Sequence, residues 1–420
     1  MKSYKSSIIH AHADRTLELF VDAYLNVSSD GLIHSISKNI PIGSDIEDFS
    51  HGIILPGMID LHTHLPQYEF ASQGAESLML WLAQYTFPQE MRFVDHKVAE
   101  AQSAIFFRQL LRNGTTTAFV YLTSQRSAAE IAFEAAAKSG IRAFLGLTLM
   151  DQNVPAALMT SAGQAENDCV YLVERYHKKS NLEFVVTPRF AVTCSSSLLS
   201  FCGEYSRAQQ LYLQTHIGEN LDEINEVKKL FPQATSYAEV YAEHGCLHER
   251  TLLAHGIYLQ EDEICTIHST NSALIHCPVS NRFLSSGIMP YKAYRDRKIK
   301  LGLGTDVAAG YSLSMIHEAR EMIEMSKLRT ASQVKISDAF YQATLGNAIC
   351  IGQEDHFGNL TPGKKADFIL VEDLLCNTDD LSSYNYYSDL FERLNRIFYR
   401  PHPDMISKTF VNGKCVYQRA

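Results

Sequence analysis

The chain has 420 residues, 46% of them hydrophobic and 20% charged, which is enough to bury one large core and a smaller one. Its formal net charge is −10, a balance that argues against a polyanion such as nucleic acid as the main partner, because a nucleic-acid footprint is basic. No apolar run reaches the ~18–20 residues of a membrane span, and the opening "MKSYKSSIIHAHADRTLELF" lacks the long apolar stretch of a secretion signal.

Up to about residue 55 the chain reads as short strands and turns: "TLELFVDAYLNV", "GLIHSISK" and "PIGSD", punctuated by Gly31, Pro41 and Gly43. From Ile53 the texture changes. Eight short β-branched or apolar runs follow: "GIILPGMIDLH", "TTTAFVYL", "RAFLGLTL", "LEFVVTP", "LYLQTH", "TLLAHG", "SALIHCP" and "KIKLGLGTD". Between them lie amphipathic segments such as "DHKVAEAQSAIFFRQLLRNG", where Gly114 is a natural helix C-cap, "SAAEIAFEAAAKSG" and "SYAEVYAEHG". Strand–helix alternation implies a parallel sheet, and eight such units predict an α/β fold of the (β/α)8, TIM-like barrel type.

After Leu345 strand character returns in "GNLTPGKKADFILVE" and "SKTFVNGKCVY", with Asn412-Gly413 as a hairpin signal. The economical reading is a small β-sandwich domain assembled from both chain ends, residues 1–55 plus 357–420, around a catalytic barrel spanning 56–356.

Barrel enzymes carry their chemistry at the C-terminal ends of the strands. Here the first run ends in His62 and His64, which alternate and so share a face. The fifth ends in "LQTHIGEN", with His216 and Glu219, the sixth in His255, the seventh in His276 and the eighth in Asp306. Any one of these also suits a packed or capping role. Unrelated polar residues at the same end of five strands do not. Three imidazoles and one carboxylate, His62, His64, His216 and Asp306, suit a borderline-soft cation such as zinc, which would turn a bound water into a nucleophile near neutral pH. Glu219, just past a ligand, is placed to move a proton between that water and a substrate.

The fourth run continues as "VTPRF". Arg189 could grip a carbonyl or carboxylate with its donor fork, or serve a structural ion pair, and Phe190 could stack on a flat ring. Gln67 offers the donor and acceptor that an amide-like ring edge requires. No Lys ends this strand to bridge a second metal, so one ion per chain is expected. Seventeen histidines agree with metal chemistry, and nine cysteines with no C-x-x-C spacing suit reduced thiols in a cytoplasmic protein.

With these residues assembled, the sequence resembles the amidohydrolase superfamily through "PGMIDLHTH", "HIGEN", "AHG", "HCPVSN", "GLGTD" and "PGKKADFILV", and within it the guanine deaminase family through "HLPQYEFA", "WLAQYTFPQE", "VTPRFAVTCS" and "GTDVAAGYSLSM". The resemblance implies one zinc per chain held by His62, His64, His216 and Asp306. It makes Glu219 the proton shuttle, Asp306 a second proton carrier, and Gln67, Arg189, Phe190 and His255 contacts to the purine, with His255 also near the reacting atoms. The implied reaction is hydrolytic deamination of guanine in purine catabolism or salvage: a zinc-activated water attacks C2, protons pass to N3 and the leaving amine, and xanthine and ammonia result.

The implied protein is a homodimer whose partners are guanine and water, with no nucleic acid and no membrane. The zinc deaminases that act on nucleic-acid bases use H-x-E with P-C-x-x-C, and neither part occurs here. Two departures fall over the pocket: "ESLML" before Trp81, where many relatives carry Glu beside the Trp, and Ala309, where Gly is common. The scaffold motifs alone also suit a deaminase or hydrolase of another N-heterocycle, such as a chloro-triazine or cyclic amide. A binding protein that has lost catalysis would show gaps among the ligands, and none is missing.

Overall fold

The computed structural model describes residues 1–40, 43–74, 77–329, 334–372 and 389–420. Pro41 and Ile42 of "PIGSD" and Glu76 of "ESLML" lie outside them. By compactness the chain forms two units. One comprises Met1–Asp60, Arg108–Thr117 and Ser314–Ala420, the other Leu61–Phe107 and Ala118–Leu313.

All eight predicted barrel runs contain parallel strands: β5 (Met58–His64), β6 (Thr115–Tyr121), β7 (Arg142–Gly146), β9 (Leu182–Pro188), β10 (Tyr212–Ile217), β11 (Thr251–His255), β12 (Ala273–His276) and β13 (Lys300–Leu303), in the order β13-β12-β11-β10-β9-β7-β6-β5. A short β8 (Thr148–Leu149) also pairs with β9. Every residue of β5, β6 and β7 is buried, as expected of strands covered on both faces. The turn after β13 laces the sheet towards closure: Asp306 N–H donates to the His62 carbonyl (2.7 Å), and His64 N–H donates to that of Val307 (3.0 Å). Gly304 permits this approach, since a Cβ there would lie 2.7 Å from His62 N and Cβ.

The terminal unit is built on β1 (Lys2–Ala11), β2 (Leu17–Val27), β3 (Ile33–Ser37), β4 (Asp45–Pro56), β14 (Phe368–Val371), β15 (Ile406–Val411) and β16 (Lys414–Gln418), ordered β16-β15-β14-β4-β1-β2-β3. Only β1 and β4 pair in parallel; their neighbours are antiparallel. The sheet curls until its far turns meet: a Cβ on Gly31 would fall 2.2 Å from the Asn412 carbonyl oxygen. It thus encloses one core, as the two layers of a sandwich do. Phe368 and Phe410 stack there at 4.2 Å, with Tyr4 edge-on at 5.1 and 5.2 Å. Asn412 and Gly413 both take positive φ (49° and 72°), the geometry of the predicted hairpin turn.

Two sequence expectations shift. "GIILPGMIDLH", read as one run, divides at Pro56-Gly57: β4 joins the terminal sheet and β5 the barrel sheet. The boundary expected at 356/357 differs from the compactness division at 313/314. Helix Met315–Arg329 packs against helices Ile336–Tyr341 and Leu390–Tyr399, all within the terminal unit.

Candidate active site

The site is built at the C-terminal strand ends of the barrel unit. Alternation along β5 puts His62 and His64 on one face, with ring centroids 4.9 Å apart. His216 of β10 and Asp306, three residues beyond β13, meet them. Nε2 of His64 lies 3.3 Å from Nε2 of both His62 and His216, and Asp306 Oδ1 lies 3.2 Å from Nε2 of His62 and of His64. One ligand atom from each of the four falls within 4.8 Å of the others.

Three nitrogens and one carboxylate oxygen close together, on three buried residues and the partly buried His216, are a donor set for a divalent cation. Burial lowers the His64 imidazole to about 3 and takes His216 well below its ordinary value, so both rings are neutral, as ligands must be. Burial opposes the charge on Asp306, but the adjacent His62 and His64 imidazoles overcome it and hold the carboxyl well below its usual range. The second sphere is in place. His216 Nδ1 lies 2.6 Å from the Arg189 carbonyl, which can only accept, so Nε2 keeps its lone pair. Ser280 Oγ donates to Asp306 Oδ2 (2.6 Å).

Glu219 sits in the turn between β10 and helix Leu221–Leu230. Burial first, then the negative charge of Asp306, raise its carboxyl above the ordinary range, against a hydrogen bond donated by Ser286 Oγ (2.9 Å). Its backbone is held by Glu223, whose carboxylate accepts from the N–H of Glu219 (2.9 Å) and of Asn220 (3.2 Å). His255, at the end of β11, lies between the two acids: Nε2 is 3.5 Å from Glu219 Oε2 and 3.7 Å from Asp306 Oδ2. Its Nδ1 lies 2.8 Å from Asn281 Oδ1. His255 and Asp306 both have positive φ (75° and 48°), uncommon for non-glycine residues and most often tolerated at functional positions.

A cavity opens over this cluster, lined by His64, His216, Glu219, His255 and Asp306 together with Gln67, Arg189, Phe190, Trp81 and Ala309. Every residue proposed from sequence as a ligand, proton carrier or purine contact lines it, except His62, which is buried beside His64. His276 does not join the cluster. It is buried at the end of β12 with its ring 5.9 Å from Tyr291.

Three participants escape a sequence reading. Tyr121, at the end of β6, sets its ring against His62 (4.9 Å), His64 (4.4 Å) and His216 (5.0 Å). Ser286 holds Glu219. Glu90, on the short helix Phe87–Met91, accepts from Arg189 Nη1 (2.8 and 3.1 Å) and Gln67 Nε2 (3.2 Å). Glu90 stands inside "WLAQYTFPQE", but only the fold shows what it faces.

Residues 53–416 match the amidohydrolase family. The guanine deaminase of Escherichia coli K12 is 35% identical over 381 residues, covering 90% of this chain and 86% of that one. The solved structure of E. coli guanine deaminase superposes with a TM-score of 0.95 at 32% identity and full coverage of both chains. That of guanine deaminase from C. acetobutylicum with guanine bound in the active site gives 0.93 at 33%, covering 99% of this chain and all of that one.

Proposed function

The chain belongs to the amidohydrolase family, in its guanine deaminase branch, and we propose that it is a zinc-dependent guanine deaminase that converts guanine and water to xanthine and ammonia. The observation that carries this is one cavity lined by metal-donor residues, by a carboxyl raised towards neutrality, and by an Arg–Phe–Gln set suited to a purine. Zinc is the metal proposed. Ligand distances of about 2.0–2.1 Å in a tetrahedron put donors a little over 3 Å apart; the contacts His62–His64, His64–His216, His62–Asp306 and His64–Asp306 are 3.2 and 3.3 Å, and the whole set falls within 4.8 Å. When bound by His62, His64, His216 and Asp306, the ion supplies a water acidic enough to serve as nucleophile at neutral pH.

The chain's own residues do the rest. Arg189 donates to the O6 carbonyl of guanine, Gln67 reads the same ring edge, and Phe190 packs on the ring face. C2 is thereby presented to the water. Glu219 takes a proton from the water and delivers it to N3 as the C2–O bond forms. Asp306, held by Ser280, takes the remaining proton from the new C2 hydroxyl and passes it to the exocyclic nitrogen, and the C2–N bond breaks to release ammonia as the C2 carbonyl forms. His255 steadies both carboxyls from between them. Adenine presents an amino donor where Arg189 also donates, so it is rejected.

A cytoplasmic homodimer is the proposed setting. The described residues contain no disulfide and no helix long and apolar enough to cross a membrane. The test is ultraviolet monitoring of guanine conversion to xanthine by the zinc-loaded protein, with ammonia measured in parallel. Absence of conversion, with another heterocycle turned over instead, would reassign the substrate.

A further inference from the structure

Arg189 is not a free cation in the cavity. Glu90 is fully buried, and both its oxygens face Arg189 Nη1, at 2.8 and 3.1 Å. Phe87, three residues earlier on the same helix, sets its ring 5.6 Å from the guanidinium carbon, so the pair is enclosed on an apolar side. Glu90 Oε1 also accepts from Gln67 Nε2 at 3.2 Å, while Gln67 Oε1 accepts from the Ala308 N–H at 3.3 Å. The amide is therefore fixed in one orientation, with its remaining N–H and lone pair committed in direction. A single buried carboxylate orients both side chains proposed to read the base, and it cancels the charge of one of them.

We infer that Glu90 is a positioning residue that makes the base-reading edge of the pocket electrically neutral, so that it selects neutral purines over purine anions. The inference rests on the proposed guanine reaction and adds a consequence to it. Guanine is neutral near physiological pH. Xanthine is a distinctly stronger acid and is largely an anion in mildly alkaline solution. An uncompensated Arg189 would hold the product anion in a low-dielectric cavity, where opposite charges attract strongly. The Glu90–Arg189 pair keeps the directional donors of the fork without that attraction, and the product leaves.

The chain's single tryptophan, Trp81, lines the same cavity, so its fluorescence reports occupancy without turnover. Zinc-loaded parent protein and Glu90→Gln are titrated at about pH 8 with xanthine, mainly anionic there, and hypoxanthine, mainly neutral, both carrying the 6-oxo group. The parent should bind hypoxanthine at least as tightly as xanthine. Glu90→Gln should shift the ratio about tenfold or more towards xanthine, with zinc content unchanged and the KM for guanine raised. Glu90→Asp, which keeps the charge on a shorter arm, should hold the parent ratio within about twofold while guanine kcat/KM falls, and should Glu90→Gln not fold, the parent's own ratio decides.

Parallel weakening of both ligands in Glu90→Gln, an unchanged ratio, or a parent already favouring xanthine more than about tenfold would overturn the inference. Guanine turnover by the parent is measured in the same preparations. Its absence would strike the proposed substrate, whereas the xanthine-to-hypoxanthine ratio is read from binding alone.

Discussion

His216 Nδ1 and the carbonyl oxygen of Arg189 are 2.6 Å apart. The same residue therefore fixes the proposed metal ligand through its backbone and carries the proposed base-reading group on its side chain. The Arg189 side chain leaves towards Glu90, while its carbonyl selects the His216 tautomer that presents Nε2 to the ion. The ends of the adjacent strands β9 and β10 are thus tied together at the proposed metal and base positions.

The first consequence concerns the ligand set. His216→Ala removes one of four donors and leaves the Arg189 carbonyl without its imidazole partner. Zinc content should fall from about one per chain to well under half, and guanine turnover should fall with it. Elemental analysis and the xanthine assay on the same samples check this. Full zinc and full turnover in His216→Ala would remove the residue from the metal site.

Glu219→Gln keeps the size of the side chain and can still accept from Ser286, but it cannot carry a proton. General acid–base groups supply ~10²–10⁴-fold in rate. The variant should retain zinc and bind guanine while kcat drops by at least about a hundredfold. Retention of more than about a tenth of the rate would assign the shuttle elsewhere.

The legible parts of the molecule are those whose signal is local. The barrel strands are short apolar runs that stop at polar residues, and the His62/His64 alternation needs only two positions. β1 was not legible. Its period is broken by buried serines, and these are satisfied from elsewhere: Ser3 donates to Asn26 Oδ1 (2.6 Å) and Ser6 to the carbonyls of Phe49 and Gly52 (3.1 and 3.2 Å). A buried polar residue with a distant partner looks, in sequence, like an exposed one. Glu90 was hidden for the same reason, since its partner Arg189 is 99 positions away. His276 misled in the opposite sense: it ends a strand like the ligands, yet its ring lies towards Tyr291.

Stability should fall with acid, and three histidines set the window. Burial, with some repulsion from nearby cations, lowers His177 and His248 to about 4, and burial lowers His10 to about 4 despite Glu18. His177 Nδ1 accepts the Phe184 N–H (3.1 Å), and His248 Nδ1 accepts that of Arg250 (3.3 Å). The unfolded rings take protons near 6.5, and the folded ones only near 4. Their contribution is therefore complete above about pH 7 and is lost as pH falls from 6.5 towards 4. For the partly buried His177 and His248, about 0.5–1 kcal/mol each should be lost between pH 7.5 and 5.5. Urea midpoints at the two pH values test it. His177→Asn, whose side-chain oxygen can accept from Phe184, should flatten the dependence, and an equal slope in both proteins would exclude His177 as a contributor.

Arg189→Lys separates charge from shape. Lysine keeps the positive charge opposite Glu90, so the pair stays neutral and the protein should fold. What is lost is the planar fork, which satisfies both the Glu90 carboxylate and a carbonyl at fixed angles. A single ammonium drawn to Glu90 is a poor donor in the direction of the base. A charge-assisted hydrogen bond is worth roughly 1.5–3 kcal/mol, so guanine kcat/KM should fall about ten- to a hundredfold. Zinc content should be unchanged, because Arg189 touches the metal site only through its backbone carbonyl, which the substitution keeps. Adenine should be a very poor substrate for the parent, since its 6-amino group meets a donor. The measurement is guanine and adenine turnover in both proteins beside their metal content. Undiminished guanine turnover in Arg189→Lys, or adenine deaminated as fast as guanine by the parent, would remove Arg189 from base reading and leave the roles of the metal ligands and Glu219 standing.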